Sequence, residues 1–74
     1  MLALVLSTLA SLNVNTAPAD SLSATLPGVG PKIAERIVQE RKEKPFVACS
    51  DLSDRVRGIG AKKLDKICPE VTFR

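Results

Sequence analysis

The chain has 74 residues with two Phe, no Trp and no Tyr, which limits it to one small domain around an aliphatic core. Its net charge of +3 is unevenly placed: residues 1–31 carry only Asp20, whereas residues 32–74 hold all 11 Lys and Arg. Two Cys without any His exclude a four-ligand zinc site and a histidine-activated nucleophile. The basic second half is a solvated helical surface or faces a negative partner, either nucleic acid or an anionic membrane face.

Residues 1–11 form an apolar N-terminal segment ahead of a domain spanning 12–74. The segment is too short to cross a bilayer. It is similar to the apolar centre of a secretory signal, with small residues at Thr8-Leu9-Ala10 but no basic n-region. Three readings stay open: a truncated export signal, a late start, or a segment that packs on the fold. Leu12 to Ala17 reads as polar and extended, with Thr16 placed to cap a helix whose first turn holds Pro18. A short helix follows over Ala19–Thr25, with Leu22 and Leu26 inward, and Pro27-Gly28 stops it.

The second helix is predicted from Pro31 to about Lys44, with Ile33, Ala34, Ile37 and Val38 on one stripe. Glu40 and Lys44 form an i, i+4 pair on it. Pro45 ends the helix, and Phe46 is read as a plug between two packed units. A third helix is expected over Cys49–Arg55, with Leu52 and Val56 inward. Gly58-Ile59-Gly60 turns the chain into a fourth helix over Ala61–Ile67, burying Leu64 and Ile67. Pro69 stops it, Val71-Thr72-Phe73 forms a tail, and no strand pattern appears. The expected fold is all-α: two helix–turn–helix units related by a pseudo-twofold and joined at residues 44–46.

The two turns share one device. Gly28 matches Gly58, Gly30 matches Gly60, Lys32 matches Lys62 and Ile37 matches Ile67, each at an offset of 30 residues. Gly28 and Gly58 suit a positive φ at a helix end. Gly30 and Gly60 sit where the next helix begins. There a missing side chain leaves unpaired N–H groups and a partial positive charge open to an anion, usually phosphate. Lys32 and Lys62 lie in the first turn, where a cation disfavours the helix, so something negative is expected to dock.

The stretch L-P-G-V-G-P-K-I-A-E-R-I resembles the helix-hairpin-helix motif at Leu26, Pro27, Gly28, Val29, Gly30, Ala34 and Ile37. The second copy keeps Val56, Gly58, Ile59, Gly60 and Ile67, with Arg57 in place of Pro and Leu64 in place of Ala. Asn13 to Ala17 and Pro45-Phe46 are similar to the ComEA-like competence proteins, and this likeness runs over residues 12–73. Relatives often have Ser where this chain has Pro18 and Ala48.

The resemblance implies binding of double-stranded DNA without sequence preference, through backbone phosphates, during DNA uptake. The residues it points to are Gly28, Val29, Gly30, Gly58, Ile59 and Gly60 through their backbones, and Lys32, Arg57, Lys62 and Lys63 as cations. It implies an exported, periplasmic or membrane-associated protein, with a cytoplasmic one left open, and other uptake-machinery proteins as partners. It also implies a potassium or sodium ion at the carbonyls of Leu26 and Val29. The rival is a protein-interaction helix-hairpin-helix module that does not bind DNA. No enzyme, small-molecule substrate or other cofactor is expected. The carboxylates are scattered among Lys and Arg, and 74 residues leave no room for the base pocket that a catalytic Lys32 would need.

Cys49 opens the third helix and Cys68 closes the fourth, so both lie at the end of the unit away from its turn. Their repeat counterparts are Ala19 and Val38. A disulfide between Cys49 and Cys68 is expected from that placement, with two buried thiols as the alternative.

Overall fold

The computed structural model describes residues 12–73, so the reading of residues 1–11 falls outside the described part. Four helices follow in order: α1 (Ala19–Thr25), α2 (Pro31–Glu43), α3 (Cys49–Arg55) and α4 (Ala61–Ile67). Strand β1 (Leu12–Asn13) precedes them. A 3-10 turn (Cys68–Glu70) and strand β2 (Val71–Thr72) close the chain. The fold is all-α with two helix-hairpin-helix units, as expected, plus one small parallel ladder. In it Leu12 pairs with Val71 and Asn13 with Thr72. The strand-free expectation is corrected there, because two-residue strands are too short to show any alternation.

Three further local expectations are corrected. Thr16 does not cap α1; the N-cap is Pro18, without a side-chain cap bond. Instead, the Thr16 and Ala17 amides both donate to the Asn13 carbonyl, at 3.1 and 2.9 Å, in a turn tightened by Asn15 N–H to Asn13 Oδ1 at 2.9 Å. Helix α2 ends at Glu43, and Lys44 is extended at φ −167°, ψ 129°. Pro45 drives its predecessor out of helical geometry. Glu40 therefore pairs with Arg55 instead of Lys44, Oε1 to Nε at 3.5 Å.

The repeat governs the core. Leu22 and Leu52, Leu26 and Val56, Val29 and Ile59, and Ile37 and Ile67 are four buried pairs at the same offset. Leu64 is half-buried where the first unit has the fully buried Ala34. Phe46 is fully buried and does serve as the plug. Burying a side chain of that size stabilises by about 1.5–3 kcal/mol. Its backbone is held by Asn15, whose Nδ2 donates to the Phe46 carbonyl at 2.9 Å and whose Oδ1 accepts the Phe46 N–H at 2.7 Å.

Arg55 stacks over the Phe46 ring at 4.4 Å and donates to the carbonyls of Glu40 and Lys44 at 2.6 and 2.7 Å. Arg41 ties α2 to the N-terminal loop through the carbonyls of Val14 and Ala17, at 3.0 and 2.6 Å. Cys49 and Cys68 are disulfide-bonded, their Cα atoms 5.9 Å apart.

Candidate nucleic-acid interface

Each unit presents the same turn. The Leu26 carbonyl accepts the Val29 N–H at 3.2 Å, with Gly28 at φ +76°. The Val56 carbonyl accepts the Ile59 N–H at 3.2 Å, with Gly58 at φ +104°. A type II turn needs φ > 0 at its third residue and favours Pro at its second, which explains Pro27-Gly28 and the glycine kept beside Arg57. The side chains of Val29 and Ile59 are buried beneath the turns. Their amides are used within the turns, so these two residues anchor the site and do not offer N–H groups to a ligand.

The open amides lie one step further on. Helices α2 and α4 begin after Gly30 and Gly60, and no side chain caps either end. The first intrahelical bonds are Ala34 N–H to Gly30 and Leu64 N–H to Gly60, both at 2.9 Å. The amides before them have no partner within the helix. Gly30 and Gly60 have φ of −87° and −94°, a conformation any residue adopts. A Cβ built on either would meet nothing within 4 Å. The fold does not require glycine at these positions, yet both copies have it, and the amides stay uncovered.

Lys32, Arg57 and Lys62 are exposed around these ends. Lys63 is not free. Its Nζ donates to the Gly58 carbonyl at 3.1 Å, and its Cε lies 3.2 Å from where a Cβ on Gly28 would stand. At the equivalent position in the first unit, Ile33 Cδ1 lies 3.0 Å from the Cβ position of Gly58. Each hairpin thus places a first-turn side chain over the other's left-handed glycine, and that exchange locks the two turns together.

Arg36 adds a third tie, Nη1 donating to the Arg57 carbonyl at 2.9 Å. It was missed from sequence, although its place four residues after Lys32 puts both on one helical face. Lys32, Arg36, Arg55 and Arg57, with Glu35 and Glu40, line an open groove of about 500 Å³ along α2.

The carbonyls of Leu26 and Val29 are oxygen donors of the kind a hard monovalent cation takes. Leu26 keeps a lone pair beside its turn bond. These two atoms would supply only part of a shell. Among the described residues, no group of three or more His, Cys, Asp or Glu is placed to hold a metal.

Residues 8–72 match the helix-hairpin-helix motif family, and the chain belongs to it. Members of that family commonly bind nucleic acid. The chain is also 37% identical over 62 residues to an uncharacterized protein of Haemophilus influenzae. That alignment takes in 84% of this chain and 55% of the relative, so the chain spans about half the relative's length.

Proposed function

We propose that this domain binds double-stranded DNA without sequence preference, one phosphate backbone at each hairpin. The observation that carries the reading is the pair Gly30 and Gly60, kept as glycine where the fold has room for a side chain. The first-turn amides of α2 and α4, the partial positive charge of those helix ends and the exposed Lys32, Arg57 and Lys62 receive phosphate oxygens. Such contacts fix position and carry no base information, which gives sequence tolerance. The three ties between the hairpins hold the two phosphate sites at one spacing, so binding energy is not spent on ordering them.

The likeness to ComEA-like proteins supports a role in DNA uptake, with other uptake proteins as partners and no catalytic step. The Cys49–Cys68 bridge supports an exported location, because disulfides persist in oxidising compartments. A potassium or sodium ion at the Leu26 and Val29 carbonyls would add positive charge beside the first phosphate.

Fluorescence anisotropy against unrelated duplexes over a range of salt tests the reading. Equal affinities are expected across sequences. With three exposed cations in contact, log affinity should fall against log salt with a slope of about −2.7, against about −3.6 if Lys63 also counted. Binding that ignores salt or selects one sequence overturns the proposal. Absence of binding to every duplex favours a protein-interaction module.

A further inference from the structure

We propose that the groove along α2 docks a short acidic peptide segment of a partner protein, and that this docking excludes DNA. The docking stands on the groove itself, and the exclusion rests on the DNA-binding reading.

The groove has two unlike ends. Lys32 and Arg57 flank it where it meets the turns, and Arg36 follows one helical turn after Lys32. All three are exposed. Among the described residues the ion pair is Glu40 with Arg55, so these three cations have no carboxylate partner there. Arg36 donates one N–H to the Arg57 carbonyl, which positions it and leaves its charge unmatched. At the other end, Ala19 and Val38 form half-buried apolar walls, and the Arg55 charge is already met by Glu40. Lys32 and Glu40 are eight residues apart on α2, or about 12 Å at about 1.5 Å per residue. An extended chain covers that distance in about four residues.

The repeat sets this groove apart from the device common to both hairpins. Arg57 stands where the first turn has Pro27. Val38, Gln39 and Glu40 match Cys68, Pro69 and Glu70, which form a 3-10 turn after α4. Cys68 is bonded to Cys49, the counterpart of Ala19. The second unit therefore has no helical wall of this length. The first has a concave, mostly apolar channel of about 500 Å³ with three cations at one mouth.

A phosphate backbone suits this channel poorly, because Glu35 stands on its rim and apolar walls offer a phosphodiester nothing. A peptide answers each feature. Its N–H groups suit Glu35, an aliphatic side chain fits between Ala19 and Val38, and acidic side chains meet Lys32, Arg36 and Arg57. The segment is thus an acidic pair followed about four residues later by an aliphatic residue. Lys32 and Arg57 also face the DNA phosphates, so peptide and duplex compete for the same cations.

Anisotropy of a fluorescein-labelled peptide tests the docking. The peptide has two adjacent aspartates, a Gly-Ser-Gly spacer and a leucine. Its asparagine version should bind about fivefold weaker or less tightly still. Ala19→Glu places a carboxylate in the apolar end, at a helix start that favours one. It should lose the peptide and keep the melting temperature and duplex affinity of the parent. Arg57→Pro installs the residue of the first turn, and Val56, at φ −109° and ψ 112°, already has the extended geometry that precedes proline. It should weaken the peptide about fivefold and reduce the DNA salt slope by about 0.9.

Aspartate and asparagine peptides that bind alike, or no binding of either, overturn the docking. So does an Ala19→Glu protein that holds the peptide undiminished. If Ala19→Glu weakens duplex binding as much as peptide binding, the groove carries DNA and the proposal falls. Unlabelled duplex should displace the bound peptide, and a duplex that binds beside it overturns the exclusion. A protein that takes the peptide and no duplex supports the docking and overturns the DNA reading.

Discussion

Gly60→Val separates the interface from the fold. Gly60 has φ −94° and ψ −178°, and nothing lies within 4 Å of a Cβ built there. A valine fits without strain. Losing glycine at the N-cap costs about 0.5 kcal/mol, and restricting the unfolded chain returns about as much, so stability should change by less than about 0.5 kcal/mol. The new branched side chain covers the first-turn amides of α4. Hydrogen bonds to a charged phosphate contribute about 1.5–3 kcal/mol each, so affinity for duplex DNA should fall about 10- to 100-fold.

Gly58→Ala is the contrast. Its φ of +104° and the 3.0 Å approach of Ile33 Cδ1 make any Cβ strained. That strain costs about 1–3 kcal/mol, and at about 4–8 °C per kcal/mol the melting temperature should drop by roughly 5–20 °C. Thermal circular dichroism and anisotropy titration on the same samples read both quantities. A Gly60→Val protein that melts like the parent and binds DNA undiminished refutes the phosphate cradle at the second hairpin.

The two neighbouring lysines should behave differently. Lys62→Ala is expected to reduce the salt slope by about 0.9 with no change in melting. Lys63→Ala should leave the slope unchanged and lower the melting temperature, since its stem packs on Gly28 and its ammonium on the Gly58 carbonyl. Equal slope changes for both would show that Lys63 leaves its intramolecular contacts to meet DNA. Asn15→Ala strands both backbone groups of the buried Phe46. It should destabilise by about 2 kcal/mol, read as a shift in urea midpoint, and an unchanged midpoint would show that solvent replaces the side chain.

Local chemistry wrote much of this protein into its sequence. The period of 30 residues, the prolines that begin and end helices and the glycines that take positive φ act over a few residues each. They suffice to place α1, α3 and α4 at their observed bounds and α2 within one residue at its end. Three of the four core pairs followed from the same period, whereas Val29 and Ile59 were read only as turn residues, and Phe46 stood out as a large apolar residue in a connector.

The contacts between distant segments needed the tertiary structure. Lys63 reads as a free cation until α4 is laid across Gly28, and Arg36 reads as surface until α2 meets the Arg57 carbonyl. Glu40 had a partner four residues away on paper, but Pro45 took Lys44 out of the helix and the fold supplied Arg55. The two-residue strands exist only because folding brings both ends of the domain together. The Cys49–Cys68 disulfide was expected from their places at the open end of the second hairpin, but the geometry that permits it, Cα atoms 5.9 Å apart, came from the packed helices. Short-range rules specify backbone turns and helix ends residue by residue. Which side chain reaches which remote carbonyl depends on how whole helices pack, and no single stretch of sequence carries that information.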